Sequence, residues 1–187
     1  PSNETAVAMN IVLIGFASCG KSATAYVLAQ RRGMKFVDLD KEIEVRYYLS
    51  HGAERHYRDI IRREGPDLFF DLENQVLNEY AKFADCVVAP GGGAPMRREN
   101  RQVLSSLGTV FYLTSEPAVL LQRMKAKGVP LFLEHDASLE ELTRIWHERD
   151  VVYQAMANHT IDNSALTIEQ TADAVEQLLA MHGGRER

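Results

Sequence analysis

Short apolar runs alternate with amphipathic stretches along most of the chain. Met9 to Gly15, Lys35 to Leu39, Cys86 to Ala89, Thr109 to Leu113 and His159 to Ile161 have the length and apolar content of buried strands. Between them, amphipathic patterns predict helices over Lys21 to Arg31, Asp40 to Leu49, Ala53 to Arg63, Asp67 to Phe83, Arg97 to Leu107, Pro117 to Ala126, Leu139 to Ala157 and Ile168 to His182. This rhythm predicts an α/β fold, a five-stranded parallel sheet with helices on both faces that gathers its ligands at the strand C-terminal ends. The apolar positions of Pro66 to Phe83 fit a core-facing helix. No repeat, heptad or low-complexity tract breaks the pattern.

Composition narrows the reading. A chain of 187 residues, 45% hydrophobic and 25% charged, can bury one sizeable core, which predicts a single domain over 1–187 with disorder at most at its ends. A net charge of -5 argues against nucleic-acid or anionic-membrane partners, while leaving room for a local basic pocket for small anions. No apolar run reaches bilayer-spanning length, and Pro1 to Thr5 lacks the features of a secretory signal, so a cytoplasmic protein is expected. Cys19 and Cys86 are expected to be free thiols, and the six histidines show no zinc-ligand spacing.

The sharpest chemical signal follows the apolar stretch from Val7 to Ile14. Gly15-Phe16-Ala17-Ser18-Cys19-Gly20-Lys21-Ser22 reads G-x-x-x-x-G-K-[ST] between a strand and a helix, a setting in which backbone N–H groups and a helix N-terminus converge on phosphates. Lys21 suits the β- and γ-phosphate oxygens and Ser22 a Mg²⁺ ion, so a nucleoside triphosphate is the expected ligand. Two further strand ends carry polar or glycine signals. Asp38 and Asp40 would share a face if the strand continued through both, one carboxylate suiting a Mg²⁺-bound water and the other a proton. Asp40 also reads as the N-cap of a helix starting at Lys41. Gly91-Gly92-Gly93 would let a substrate lie against bare backbone.

In this order, the motifs resemble the shikimate kinase family. The likeness runs from about Asn10 to Leu179, through the phosphate loop, Phe36-Val37-Asp38-Leu39-Asp40, Phe69 with Glu73, Gly91-Gly92-Gly93-Ala94, Arg98-Glu99-Asn100, Val110 to Leu113, and Arg149 with Tyr153-Gln154-Ala155. It implies a three-layer P-loop kinase fold, a substrate-covering region over about 40–66, and a mobile lid over about 125–137. ATP would be held by Gly15, Ser18, Cys19, Gly20, Lys21, Ser22 and Ala23, with Arg123 lying on the adenine. Ser22 and Asp38 would hold Mg²⁺, the aspartate through water. Asp40 would bind the 3-hydroxyl of shikimate and take its proton, Gly91, Gly92 and Gly93 would contact shikimate, and Arg149 would grip its carboxylate. Lys21 and Asp40 would then be the catalytic pair in an in-line phosphoryl transfer. The expected partners are ATP/ADP and a small acceptor, and a monomer is expected.

Two departures bear on the acceptor. Within Gly65 to Glu73, Phe70 stands where the family places a second carboxylate-gripping arginine, and the lid reads Val129-Pro130-Leu131-Phe132 where the family carries R-P-L-L. Losing one charge-assisted contact would weaken shikimate binding by roughly one or two orders of magnitude. Arg55, Arg58, Arg62 and Arg63 in a lengthened Asp40 to Gly65 segment, with Lys125 and Lys127, are the candidate replacements. Ala23 is a lesser departure, since the family often places a hydroxyl there. Two other readings are a kinase of another small polyol or hydroxy acid, such as a gluconate-type acceptor, and an ATP-binding regulatory module with little turnover.

Overall fold

The computed structural model describes residues 10–183. Pro1 to Thr5, and the beginning of the first apolar run at Val7 to Met9, lie outside the described residues. Five strands, β1 (Asn10–Gly15), β2 (Lys35–Asp38), β3 (Cys86–Ala89), β4 (Gly108–Thr114) and β5 (His159–Asp162), form a sheet in the order β2-β3-β1-β4-β5, every pair parallel. Each connection therefore crosses over through helix, α1 (Lys21–Arg32), α2 (Leu39–His51), α3 (Tyr57–Glu64), α4 (Pro66–Tyr80), α5 (Arg98–Leu107), α6 (Pro117–Lys127) and α7 (Leu139–Met156), and α8 (Ile168–Gly183) follows β5. Helices cover both faces, with α1 and α8 packed together and α5 and α7 against β1 and β4.

Burial explains which strands the apolar pattern marks most clearly. Every residue of the central β1 is buried, as are all four of β3, so their sequences read as continuous apolar runs. The edge strands β2 and β5 each bury a single residue, Val37 and Ile161. No helix among the described residues is long and apolar enough to cross a membrane. Cys19 and Cys86 are free and buried, as expected.

Three boundaries correct the expectations. The second strand stops at Asp38, whose side chain accepts from the Lys41 backbone N–H at 3.3 Å and caps α2. Asp38, with its extended backbone, is thus the N-cap instead of Asp40, and Asp40 stands in the first helical turn, not on a strand face shared with Asp38. A helix over Ala53 to Arg63 is likewise cut short, because left-handed Gly52 ends α2 and His56 caps α3 through the Arg58 N–H. Finally, α4 starts at Pro66, a residue suited to the first helical position, and ends at Tyr80, leaving Phe83 exposed beyond it.

Candidate active site

The turn after β1 is held in a shape few side chains tolerate. A Cβ on Gly15, at φ +147°, would come within 2.3 Å of the Leu113 carbonyl oxygen. Ser18 is also left-handed at φ 64°, and Gly20 has φ 98°. This path delivers the chain to the N-terminus of α1, where Ser22 and Ala23 are exposed while Lys21 is buried. The Lys21 ammonium donates to the Gly15 and Phe16 carbonyl oxygens at 3.0 and 2.9 Å and so lies folded within the loop. Backbone donors, an ammonium and an open hydroxyl thus gather at one helix terminus, the arrangement that binds phosphates.

A polar brace ties this loop to the far end of the sheet. Asn163, just past β5, donates through Nδ2 to the Cys19 carbonyl at 2.7 Å and accepts from the Ser115 hydroxyl. Arg123 on α6 donates to Ser115 Oγ and to the Asn163 carbonyl, each at 3.1 Å. Arg123 is therefore placed beside the loops following β4 and β5, joined to the phosphate loop by Asn163.

The second half of the site is built around Gly91 to Gly93, beyond β3. A Cβ on Gly91 would approach Asp40 Oδ1 to 2.8 Å, so the absent side chain is what lets the carboxylate lie against this backbone. Burial first, then the neighbouring Asp38 charge, push the Asp40 carboxyl up to about 6, with Lys21 opposing. Glu73, only 2% exposed, accepts from Asn100 Nδ2 at 2.7 Å. Burial and then the Asp40 charge push it up to about 8, against that hydrogen bond and Arg97. Glu73 is therefore largely protonated at neutral pH and Asp40 largely ionised.

Across the glycines, Tyr153 donates its hydroxyl to the Gly92 carbonyl at 2.6 Å. One turn earlier on α7, the Arg149 guanidinium lies 5.1 Å from the Phe16 ring centroid and 4.2 Å from that of Phe132. Those two rings meet edge to face at 5.4 Å, so the segment carrying Val129 and Phe132 touches the phosphate loop through Arg149's aromatic seat.

The candidate replacement cations lie elsewhere. Arg58 donates to the Val129 carbonyl at 3.2 Å, and Arg62 pairs with Glu134 at 2.5 Å and Asp59 at 3.6 Å, which ties α3 to the lid segment. Arg55 lines an outer groove with Lys41, Glu44, Tyr48 and His56. Arg63, Lys125 and Lys127 are exposed. Sequence reasoning missed Asn163, Tyr153's bond to Gly92, the two rings around Arg149, and Arg97, whose guanidinium lies 4.3 Å from the Phe70 ring centroid. The available signal for Arg97 was a cation four residues past Gly93, among several equally plausible arginines.

Comparison with known proteins points to one family. A family model described as shikimate kinase matches residues 17–180. A shikimate kinase from Chromobacterium violaceum is 37% identical over 177 residues, covering 92% of this chain and 91% of its own. One from Alkaliphilus oremlandii is 31% identical over 163 residues, covering 86% and 93%. Among solved structures, the shikimate kinase from Acinetobacter baumannii in complex with shikimate superposes with a TM-score of 0.83 at 31% identity, covering 97% of this chain and 98% of that one. That from Aquifex aeolicus gives 0.74 at 26% identity, covering 95% and 98%.

Proposed function

The chain belongs to the shikimate kinase family, and from that premise we propose that it phosphorylates shikimate at its 3-hydroxyl with ATP, using Asp40 as the base. The observation that supports this most is the placement of Asp40 against Gly91, with its carboxyl poised at about 6 and within the field of Lys21. A carboxylate with that pKa is ionised at neutral pH yet basic enough to accept the hydroxyl proton as the bond to phosphorus forms.

The phosphate loop amides and Lys21 cradle the triphosphate, with the Lys21 ammonium turning from the Gly15 and Phe16 carbonyls to the β- and γ-oxygens. Gly15, Ser18, Cys19, Gly20, Ser22 and Ala23 border the phosphates, and Arg123 rests against the base. The acceptor lies over Gly91, Gly92 and Gly93, its carboxylate gripped by Arg149. Orientation of both reactants and a preorganised field then supply most of the acceleration.

Mg²⁺ fits the donors available. Exposed Ser22 offers a hydroxyl and Asp38 a carboxylate, hard oxygen ligands of the kind this ion prefers. When bound, the ion neutralises phosphate charge as it shifts in transfer.

In this reading the chain works as one monomeric cytoplasmic kinase domain, with α2 and α3 covering the acceptor and residues 125–137 closing as a lid to exclude water. Release of ADP by the purified full chain with ATP and Mg²⁺ tests it. Saturable turnover on shikimate is expected. Turnover only on gluconate or another polyol would replace the acceptor, and tight ATP binding with no turnover on any acceptor would replace the enzyme with a binding module.

A further inference from the structure

We propose that Arg97 supplies the second cation for the acceptor's carboxylate, working opposite Arg149 with the Phe70 ring as its brace. This inference rests on the acceptor reading above. Its starting point is a charge imbalance. Asp40 lies against Gly91, where a Cβ would come within 2.8 Å of its Oδ1, and Asp38 stands two residues earlier as the N-cap of the same helix. An acceptor bearing its own carboxylate enters this field only if cations offset it, and Lys21 is committed to the phosphate end.

Arg97 is suitably placed. It follows the glycine loop after the single turn Ala94–Met96 and serves as the N-cap residue of α5. Three residues later on the same helix, Asn100 donates to Glu73, while Arg97 meets Phe70, three residues before Glu73 on α4. The α4 and α5 packing thus fixes Arg97 and Asn100 against Phe70 and Glu73 as a matched i, i+3 pair. Arg97 is half-buried, and its charge reaches Glu73.

Its hydrogen-bonding capacity is also free. No side-chain hydrogen bond or ion pair engages the Arg97 guanidinium among the described residues, where its contact is with the Phe70 ring at 4.3 Å. A guanidinium resting on an aromatic face keeps the in-plane N–H groups that pair with a carboxylate in bidentate fashion. Phe70 is then a positioning residue: it contributes a surface for a cation reaching in from α5. By contrast, Arg58 and Arg62 spend their donors on the lid segment.

The test compares shikimate with its uncharged carboxamide as acceptors for wild type, Arg97→Ala and Arg97→Gln, with ATP KM measured in parallel. Loss of Arg97 is expected to raise the shikimate KM roughly ten- to a hundredfold, leave the ATP KM unchanged, and erase most of the preference for acid over amide. Adding Phe70→Arg to Arg97→Ala is expected to restore that preference from the facing helix. An unchanged ATP KM also shows that the variant is folded, and the glutamine variant keeps the stem to Cδ and a polar, uncharged end should alanine disturb the α4 and α5 contact. Equal losses on acid and amide, or an intact preference in both variants, would overturn the role of Arg97 while leaving the kinase reading standing. A wild type that ignores shikimate overturns the acceptor reading and Arg97's role with it.

Discussion

The phosphate end and the acceptor end of this site are built in opposite ways. The first is one continuous run, Gly15 to Ser22, whose chemistry comes from backbone shape, with a single brace through Asn163. The second, as proposed, draws Asp40 from α2, Glu73 from α4, the glycines and Arg97 from the loop after β3, and Arg149 from α7. A backbone cradle recognises any nucleoside triphosphate and leaves little to vary. A pocket assembled from four separate elements can exchange a side chain on one for a side chain on another, which is the role proposed for Arg97 beside Phe70.

The contrast yields a kinetic signature: changes at the phosphate end should move ATP parameters, and those at the acceptor end acceptor parameters. The largest expected effect is at the reacting centre they share. Asp40→Asn should lower kcat roughly 10²- to 10⁴-fold and abolish the acidic limb of the kcat/KM profile, which in the wild type should fall as pH drops through about 6. Retention of that limb in the variant would assign the base elsewhere. Next, Lys21→Met should reduce kcat/KM roughly 10²- to 10³-fold, with calorimetry showing weakened nucleotide affinity. If acceptor KM alone changed, the two ends would not be separable as described.

A smaller effect concerns stability and not turnover. Glu73 holds its proton up to about 8 in the folded chain, against an ordinary value of 4.5 once unfolded, so between those values the folded state binds more protons. Stability should therefore fall as pH rises across that window. Glu73→Gln, which keeps an acceptor for Asn100, should flatten the decline, measured as urea midpoints at about pH 5 and about pH 9. An equally steep decline in the variant would place the titrating group elsewhere. The smallest effect is expected at the α3 tie to the lid. Arg62→Ala breaks a half-exposed ion pair with Glu134 and should cost less than about 1 kcal/mol in stability, with ATP KM unchanged. A large loss of turnover there would mean that α3 governs lid closure.

Legibility in the sequence followed the same division. Lys21, Ser22 and the left-handed turn around them are announced by adjacent residues, because the loop's shape and its ligands are the same few positions. At the acceptor end, Asp38 and Asp40 were visible as residues but misplaced in geometry: a one-residue change in where β2 yields to α2 moves Asp40 from a strand face to a helical turn. The arginine-rich segment drew attention by density, yet Arg58 and Arg62 face the lid. Arg97 was overlooked because nothing local separates it from Arg98 or Arg101.

The order of strands and helices, the central buried strands and the nucleotide end were determined by the chain's own pattern. Burial on both faces leaves a continuous apolar record, and a phosphate loop carries its chemistry within eight consecutive residues. Which cation stands beside Glu73, which ring supports it and which arginines are held by the lid were decided only by packing. Those contacts join residues such as Phe70 and Arg97, or Arg58 and Val129, far apart along the chain, and their selection depends on how α3, α4 and α5 settle around the glycine loop.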